Sequence, residues 1–194
     1  MATNNEIEFK QLLDSQTYDK FKAAFFENAE PFTQTNYYID TPDFKLRDHK
    51  SAIRIRVKNG TYEMTLKVPA KVGLTEYNHM VDIIPSIDLA ISKSDLPSDI
   101  RNILDDYGVA EHELSVLGAL TTYRMETQYQ DDLLVLDKSE YFDKTDYELE
   151  FEVQDYEKGL EKFNHLLGQF DLKHQIPKNK VQRFFDYKAQ NANS

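Results

Sequence analysis

The chain has 194 residues, 40% of them hydrophobic with 12 Phe and 12 Tyr, which is enough apolar material for one domain spanning 1–194 with a buried core. A net charge of −11 argues against nonspecific binding to nucleic acid or anionic membrane, but leaves room for a local basic cluster that holds a small anion. The absence of cysteine removes disulfides and thiolate chemistry, and no apolar run approaches the ~20 residues of a membrane span. Since "MATNNEIEF" also lacks the basic and apolar regions of a secretory signal, a soluble cytoplasmic protein is expected.

In chain order, alternation predicts a strand over 5–12, and Tyr18, Phe21, Phe25 and Phe26 predict a helix over 16–28, capped by Asp14 or Ser15. "TQTNYYID" reads as a strand, and "PDFKLRD" as a short turn of helix. "SAIRIRVKNGTYEMTLKVP" has two alternating runs around Asn59-Gly60, the signature of a hairpin. "GLTEYNHMVDII" is a further strand. "SIDLAISKS" and "LPSDIRNILDDYG" have helical spacing, with Pro97 at a start and Gly108 at a stop. Strands return at "LGALTTYRMETQY", "LLVLDKS" and "DYELEFEV", followed by an amphipathic helix in "YEKGLEKFNHLLGQF" and a final helix in "KNKVQRFFDYKAQ". Strands in runs, without regular strand–helix alternation, predict a mostly antiparallel α+β protein, and about eight strands suffice to close a barrel.

Because strand side chains alternate, each strand can be split into two faces. Glu6, Glu8 and Lys10 share one face of the first strand. Arg54, Arg56 and Lys58 share a face of the hairpin, with Glu63 and Lys67 on its return and Glu76 on the next strand. Arg124 pairs in pattern with Glu126, and Glu148, Glu150 and Glu152 line up together. One reading is that basic and acidic strands neutralise each other as a paired core. The other follows from the opposite faces, which are strongly apolar and must be covered by the helices. The charged faces then point into a barrel that needs water, cations and anions inside. Clustered carboxylates favour hard divalent ions, and clustered Arg and Lys favour phosphate oxygens, so the expected ligand is a compact polyphosphate.

The string "EIEFK" resembles the ExExK signature of the CYTH superfamily, the triphosphate tunnel metalloenzymes. The likeness continues through "YYIDTPDFKLRDHKSAIRIR", "TLKVP", "GLTEYN", "YRMET", "LVLDKSEYF" and "DYELEFEV". The resemblance implies an eight-stranded antiparallel β-barrel tunnel, with helices packed outside, that binds triphosphate with Mg²⁺ or Mn²⁺. It implies Glu6 and Glu8 as metal-side carboxylates and Lys10, Arg54, Arg56, Lys67 and Arg124 as phosphate contacts. Glu76, Asp137, Glu148 and Glu150 would hold metal or the attacking water, so that Glu6, Glu8, Glu148 and Glu150 form the catalytic set. A basic residue near the C-terminus would close one end: Lys180, with Lys178 and Arg183 as competitors.

The resemblance leaves three reactions open: hydrolysis of inorganic triphosphate, hydrolysis of thiamine triphosphate, and cyclisation of ATP to cyclic AMP with release of diphosphate. The chain has no Trp on which thiamine could stack. Nothing in it marks an adenine pocket. Metal-dependent hydrolysis of inorganic triphosphate or a small organic triphosphate is therefore expected, by a monomer or homodimer without nucleic-acid or membrane partners. A class IV-type adenylate cyclase and a non-catalytic polyphosphate-binding module are the alternatives. Glu152 is expected at the tunnel edge or in a structural role.

Overall fold

The computed structural model describes residues 2–192. Its nine strands are β1 (Ala2–Leu13), β2 (Phe32–Asp40), β3 (Ala52–Lys58), β4 (Thr61–Pro69), β5 (Leu74–Met80), β6 (Ala90–Ile91), β7 (Leu114–Tyr129), β8 (Asp132–Tyr141) and β9 (Lys144–Val153). Its five helices are α1 (Ser15–Phe25), α2 (Lys45–Asp48), α3 (Ser98–Asp106), α4 (Tyr156–Gly168) and α5 (Lys180–Ala192). The strands pair in the order β2-β3-β4-β5-β1-β9-β8-β7-β6, and β2 also pairs with β7. Eight strands thus close into the antiparallel barrel that the sequence implied, and the short β6 attaches to β7 as an extra strand. Among the described residues, no helix is long and apolar enough to cross a membrane.

The chain divides into two compact units, one of residues 1–5 and 34–120, the other of 6–33 and 121–194. In the first unit, Ile53, Ile55, Met64 and Leu66 from one face of the β3–β4 hairpin pack with Leu46 of α2 and Ile100 and Leu104 of α3. The hairpin turns as its sequence requires: Asn59 and Gly60 both take positive φ, 51° and 75°, the mirror-image turn whose twist matches paired strands. The opposite face of β3 and β4 then carries Arg54, Arg56, Glu63, Thr65 and Lys67.

In the second unit, Phe9, Leu134, Leu136, Leu149 and Phe151 form a core with Phe21 of α1 and Phe163, Leu166 and Leu167 of α4. Asp14 caps α1, accepting a 2.7 Å hydrogen bond from the Thr17 amide, and Asp155 caps α4 through the Lys158 amide at 2.8 Å. Gly159 lets α4 descend onto β9, since a Cβ there would lie 2.6 Å from Val153. The face opposite this core bears Glu8, Lys10, Arg124, Asp137, Glu148, Glu150 and Glu152.

One expectation fails. "SIDLAISKS" forms no α-helix but the two-residue β6 followed by a 3-10 turn over Lys93–Asp95. Its backbone is taken up by β7: Asp88 N donates to Val116 O at 2.8 Å and Val116 N to Leu89 O at 2.9 Å. Ile91 sits opposite Leu114, and both are buried. Pairing with a long neighbouring strand overrides the weak local helical spacing. β5 also stops at Met80, earlier than its apolar run suggests.

Candidate active site

The charged face of the second unit is built by strand register. β1 and β9 run antiparallel with Glu8 opposite Glu152 and Lys10 opposite Glu150. β8 places Asp137 opposite Glu148, and β7 places Arg124 opposite Asp137. Directly opposed residues in a ladder point to the same face, so these side chains meet.

They sort into two groups. The first is acidic: Glu6, Glu8 and Glu152 each offer a carboxylate oxygen, and these oxygens lie within 4.8 Å of one another. Burial, then the charges of Glu6 and Glu8, push the Glu152 carboxyl up to about 8. Three convergent carboxylates, one of them pushed toward its protonated form by burial and by the other two, are a hard-oxygen donor set. That fits a divalent cation such as Mg²⁺ or Mn²⁺.

The second group is paired. Asp137 is fully buried, accepts from Arg124 Nε at 2.8 Å and Nη2 at 2.7 Å, and accepts from Lys180 Nζ at 2.7 Å. Lys180 also donates to Glu150, and lies 3.5 Å from Glu148. Arg183 Nη2 donates to Glu148 at 2.6 Å, and its Nε to Asp146 at 3.0 Å. Lys10 Nζ lies 2.8 Å from Glu8. Burial pushes the Glu150 carboxyl up, but Lys180, Arg124 and Lys10 outweigh it and hold it well below the carboxylate range. Burial wins at Glu148, whose carboxyl is raised despite Lys180. Burial also pulls the Lys10 ammonium down, but Glu8, Glu150 and Glu148 together raise it.

α5 delivers Lys180 and Arg183 from one turn of helix, and the β8–β9 turn holds α5 in place. Phe142, at a positive φ of 54°, stacks on Phe184 at 5.1 Å and on Tyr187 at 5.2 Å. Tyr187 donates its hydroxyl proton to Asp143. The segment leading into α5 is tied to β1, where Gln11 Oε1 accepts from the Gln175 amide at 3.0 Å.

The first unit has its own charged face. Arg56 Nε donates to Asn36 Oδ1 at 2.9 Å, Lys67 Nζ lies 3.2 Å from Glu76, and Thr65 donates to Asn78 at 2.6 Å. Arg54 stands between Tyr38 and Thr65 in the register. Asp40, on the Tyr38 face, spends its carboxylate on the amides of Thr41, Leu46 and Arg47 at the start of α2.

Of the residues expected to hold metal, Glu6 and Glu8 thus converge with a third carboxylate. Asp137, Glu148 and Glu150 lie against cations instead, and Glu76 is paired with Lys67 in the first unit. Lys10, Arg124 and Lys180 come together around carboxylates in the second unit, and Arg54, Arg56 and Lys67 share a face in the first. Lys180 enters the cluster, Arg183 joins it, and Lys178 stays exposed in an ion pair with Asp186 at 2.8 Å. Glu152, expected at the tunnel edge or in a structural role, is the third member of this carboxylate group. Its place on the Glu148–Glu150 face was a signal, but only the β1–β9 register shows that it opposes Glu8.

The raised Glu152 carboxyl gives a testable pH dependence. In the unfolded chain this group loses its proton near 4.5, and in the fold near 8. Between those values the native state binds more protons, so the contribution to stability is greatest below pH 4.5 and is lost as pH rises toward 8. A divalent cation requires the ionised form. Its apparent affinity should therefore rise from pH 6 to pH 8, and binding at pH 7 should release a proton. Calorimetric titration with Mg²⁺ in two buffers of different ionisation enthalpy measures that release, and none at pH 7 would contradict the assignment.

The CYTH domain family matches residues 4–185. The chain is 38% identical over 190 residues to the Bacillus subtilis (strain 168) protein named "Putative triphosphatase YjbK", covering 97% of this chain and 98% of that one. It is similar to the crystal structure of a Bacillus halodurans protein (bh2851) named as a "putative adenylate cyclase". The TM-score is 0.82 and the identity 31%, over 95% of this chain and 100% of that chain. The fold is shared with HpAC1 from Hippeastrum, at a TM-score of 0.74 and 23% identity over 93% of this chain and 95% of that chain. With the family matched over nearly the whole length and a relative at 38% identity, the chain belongs to the CYTH domain family.

Proposed function

We propose that this protein is a divalent-metal-dependent triphosphatase that hydrolyses a phosphoanhydride bond of inorganic triphosphate or a small organic triphosphate. The observation that carries the reading is on β1. Glu6 and Glu8 belong to a carboxylate triad, and Lys10, two residues on, points from the same face among the cations of the second unit. That arrangement suits a ligand that is a metal at one end and a polyanion along its length.

Glu6, Glu8 and Glu152 would hold the cation, which supplies Lewis acidity toward phosphoryl oxygens and charge neutralisation. Lys10, Arg124 and Lys180 of the second unit are suited to phosphoryl oxygens, and so, on their own face, are Arg54, Arg56 and Lys67 of the first unit. Arg offers them paired N–H groups. Glu150, kept ionised, holds Lys180 and Arg124 in position. Glu148, whose burial raises its proton affinity, takes the proton of a water that attacks the terminal phosphorus. The anhydride P–O bond breaks, and orthophosphate and diphosphate leave. A cyclase reading draws on the name of the Bacillus halodurans relative.

The test is phosphate release from inorganic triphosphate, ATP and thiamine triphosphate, each with Mg²⁺ or Mn²⁺, with the ATP reaction assayed for cyclic AMP. Orthophosphate and diphosphate in equal amounts from inorganic triphosphate, abolished by chelator, is the expected result. Cyclic AMP with diphosphate would move the protein to the cyclase branch. No turnover, with thermal stabilisation by triphosphate and Mg²⁺ retained, would leave a binding module.

A further inference from the structure

Among the described residues, two buried side-chain nitrogen or oxygen atoms have no hydrogen-bond partner: Gln34 Nε2 and Arg54 Nε. Both lie in the first unit, and both are donors. Gln34 is 3% exposed, so bulk water does not serve it. A buried donor left unmade is disfavoured relative to an apolar group of the same shape, so it calls for an explanation.

Strand geometry says where Gln34 points. Tyr37 and Ile39 of β2 pack with the first unit's core. Gln34, Asn36 and Tyr38 therefore share the other face. Asn36 opposes Arg56 and accepts its Nε, and Tyr38 opposes Arg54. Gln34, Asn36 with Arg56, and Tyr38 with Arg54 are successive rungs along the strands, each about 6.8 Å from the next. The donors form a track, and two of its three rungs carry a buried N–H with no acceptor in the protein. Two unsatisfied donors, one of them on the Arg54 guanidinium, are matched by a ligand rich in anionic acceptor oxygens.

From this geometry we infer that Gln34 is a substrate-contacting residue, whose side-chain amide donates to a phosphoryl oxygen of the bound triphosphate on the same strand face as Arg56 and Arg54. The inference rests on the triphosphatase reading and adds to it a neutral donor outside the charged pattern. A neutral amide at this place gives directional recognition without adding a further cation to the face.

Gln34→Met keeps the length and shape of the side chain and removes the donor. With inorganic triphosphate and Mg²⁺ as the probe, calorimetry should show binding weakened about tenfold, with KM raised in proportion. The ligand-free variant should melt at or above the wild-type temperature, because the unsatisfied amide is gone. Gln34→Glu, which turns a donor into an anionic acceptor, should weaken binding about a hundredfold. A folded Gln34→Met variant that binds triphosphate within twofold of wild type would mean that the amide does not meet a phosphoryl oxygen, and would overturn the assignment alone. A wild-type protein that binds no triphosphate would overturn the triphosphatase reading, and this inference with it.

Discussion

Replacing Glu8 by alanine should lower kcat/KM for phosphate release from inorganic triphosphate on the order of 10²–10³-fold. The side chain does two things at once. Its carboxylate is one of three whose oxygens converge, and it lies 2.8 Å from the Lys10 ammonium. Removing it takes a hard donor from the metal set and frees Lys10 to settle on Glu150 or Glu148, which already bias its charge. Glu8→Gln separates the two effects, because an amide can still accept from Lys10 but binds a divalent cation weakly. If metal affinity dominates, raising Mg²⁺ well above the wild-type requirement should recover part of the loss in both variants. If the position of Lys10 dominates, Glu8→Gln should keep most activity and Glu8→Ala little at any Mg²⁺ level. Activity of Glu8→Ala within threefold of wild type would remove the carboxylate triad from the reaction.

The elements that the sequence disclosed are those whose pattern is local. Period-two alternation in β3 and β4, with an Asn-Gly turn between them, needs no knowledge of the rest of the chain, and the turn takes the two positive φ values it demands. The same alternation sorted charge from core on β1, β7 and β9, and the helices supplied the cover. What alternation cannot supply is who stands opposite whom. Glu148, Glu150 and Glu152 look alike along β9, yet register gives Glu150 to Lys10 and Glu152 to Glu8, so their environments diverge. Glu150 is held ionised and Glu152 is pushed up to about 8. The same limit explains the middle of the chain. Ile91 reads as one position of a helical stripe until β7 offers Leu114 across a ladder. Among the C-terminal cations, the rotation of α5 decides, and that rotation is set by the stacking of Phe142 on Phe184 and Tyr187. Gln34 carried no charge and so left no mark in a reading based on charge.

Lys180→Met should destabilise the metal-free protein by about 3–5 kcal/mol at pH 7, as expected when one partner of a buried charge network is removed. At this chain length that corresponds to a melting temperature lower by roughly 10 °C. Methionine keeps the apolar stem and deletes the ammonium that Asp137, Glu148 and Glu150 share, which leaves Arg124 and Arg183 to serve them. The pH dependence has a fixed sign. Glu150 has a depressed folded-state pKa, so its stabilising contribution is present above the unfolded value near 4.5 and is lost as pH falls through the folded one. Without Lys180 that contribution shrinks, so the gap between variant and wild type should be widest near neutrality and should close as pH falls below 4.5. Lys178→Met is the matched control. Its ammonium is exposed beside Asp186, and its loss should cost under about 1 kcal/mol at any pH. Because the variant exposes three carboxylates to fewer cations, Mg²⁺ should raise its melting temperature more than it raises that of wild type. Thermal denaturation at pH 7 and pH 4, with and without Mg²⁺, measures all of this in one series. A Lys180→Met variant as stable as Lys178→Met at pH 7 would show that the cluster does not depend on the α5 ammonium for its balance of charge.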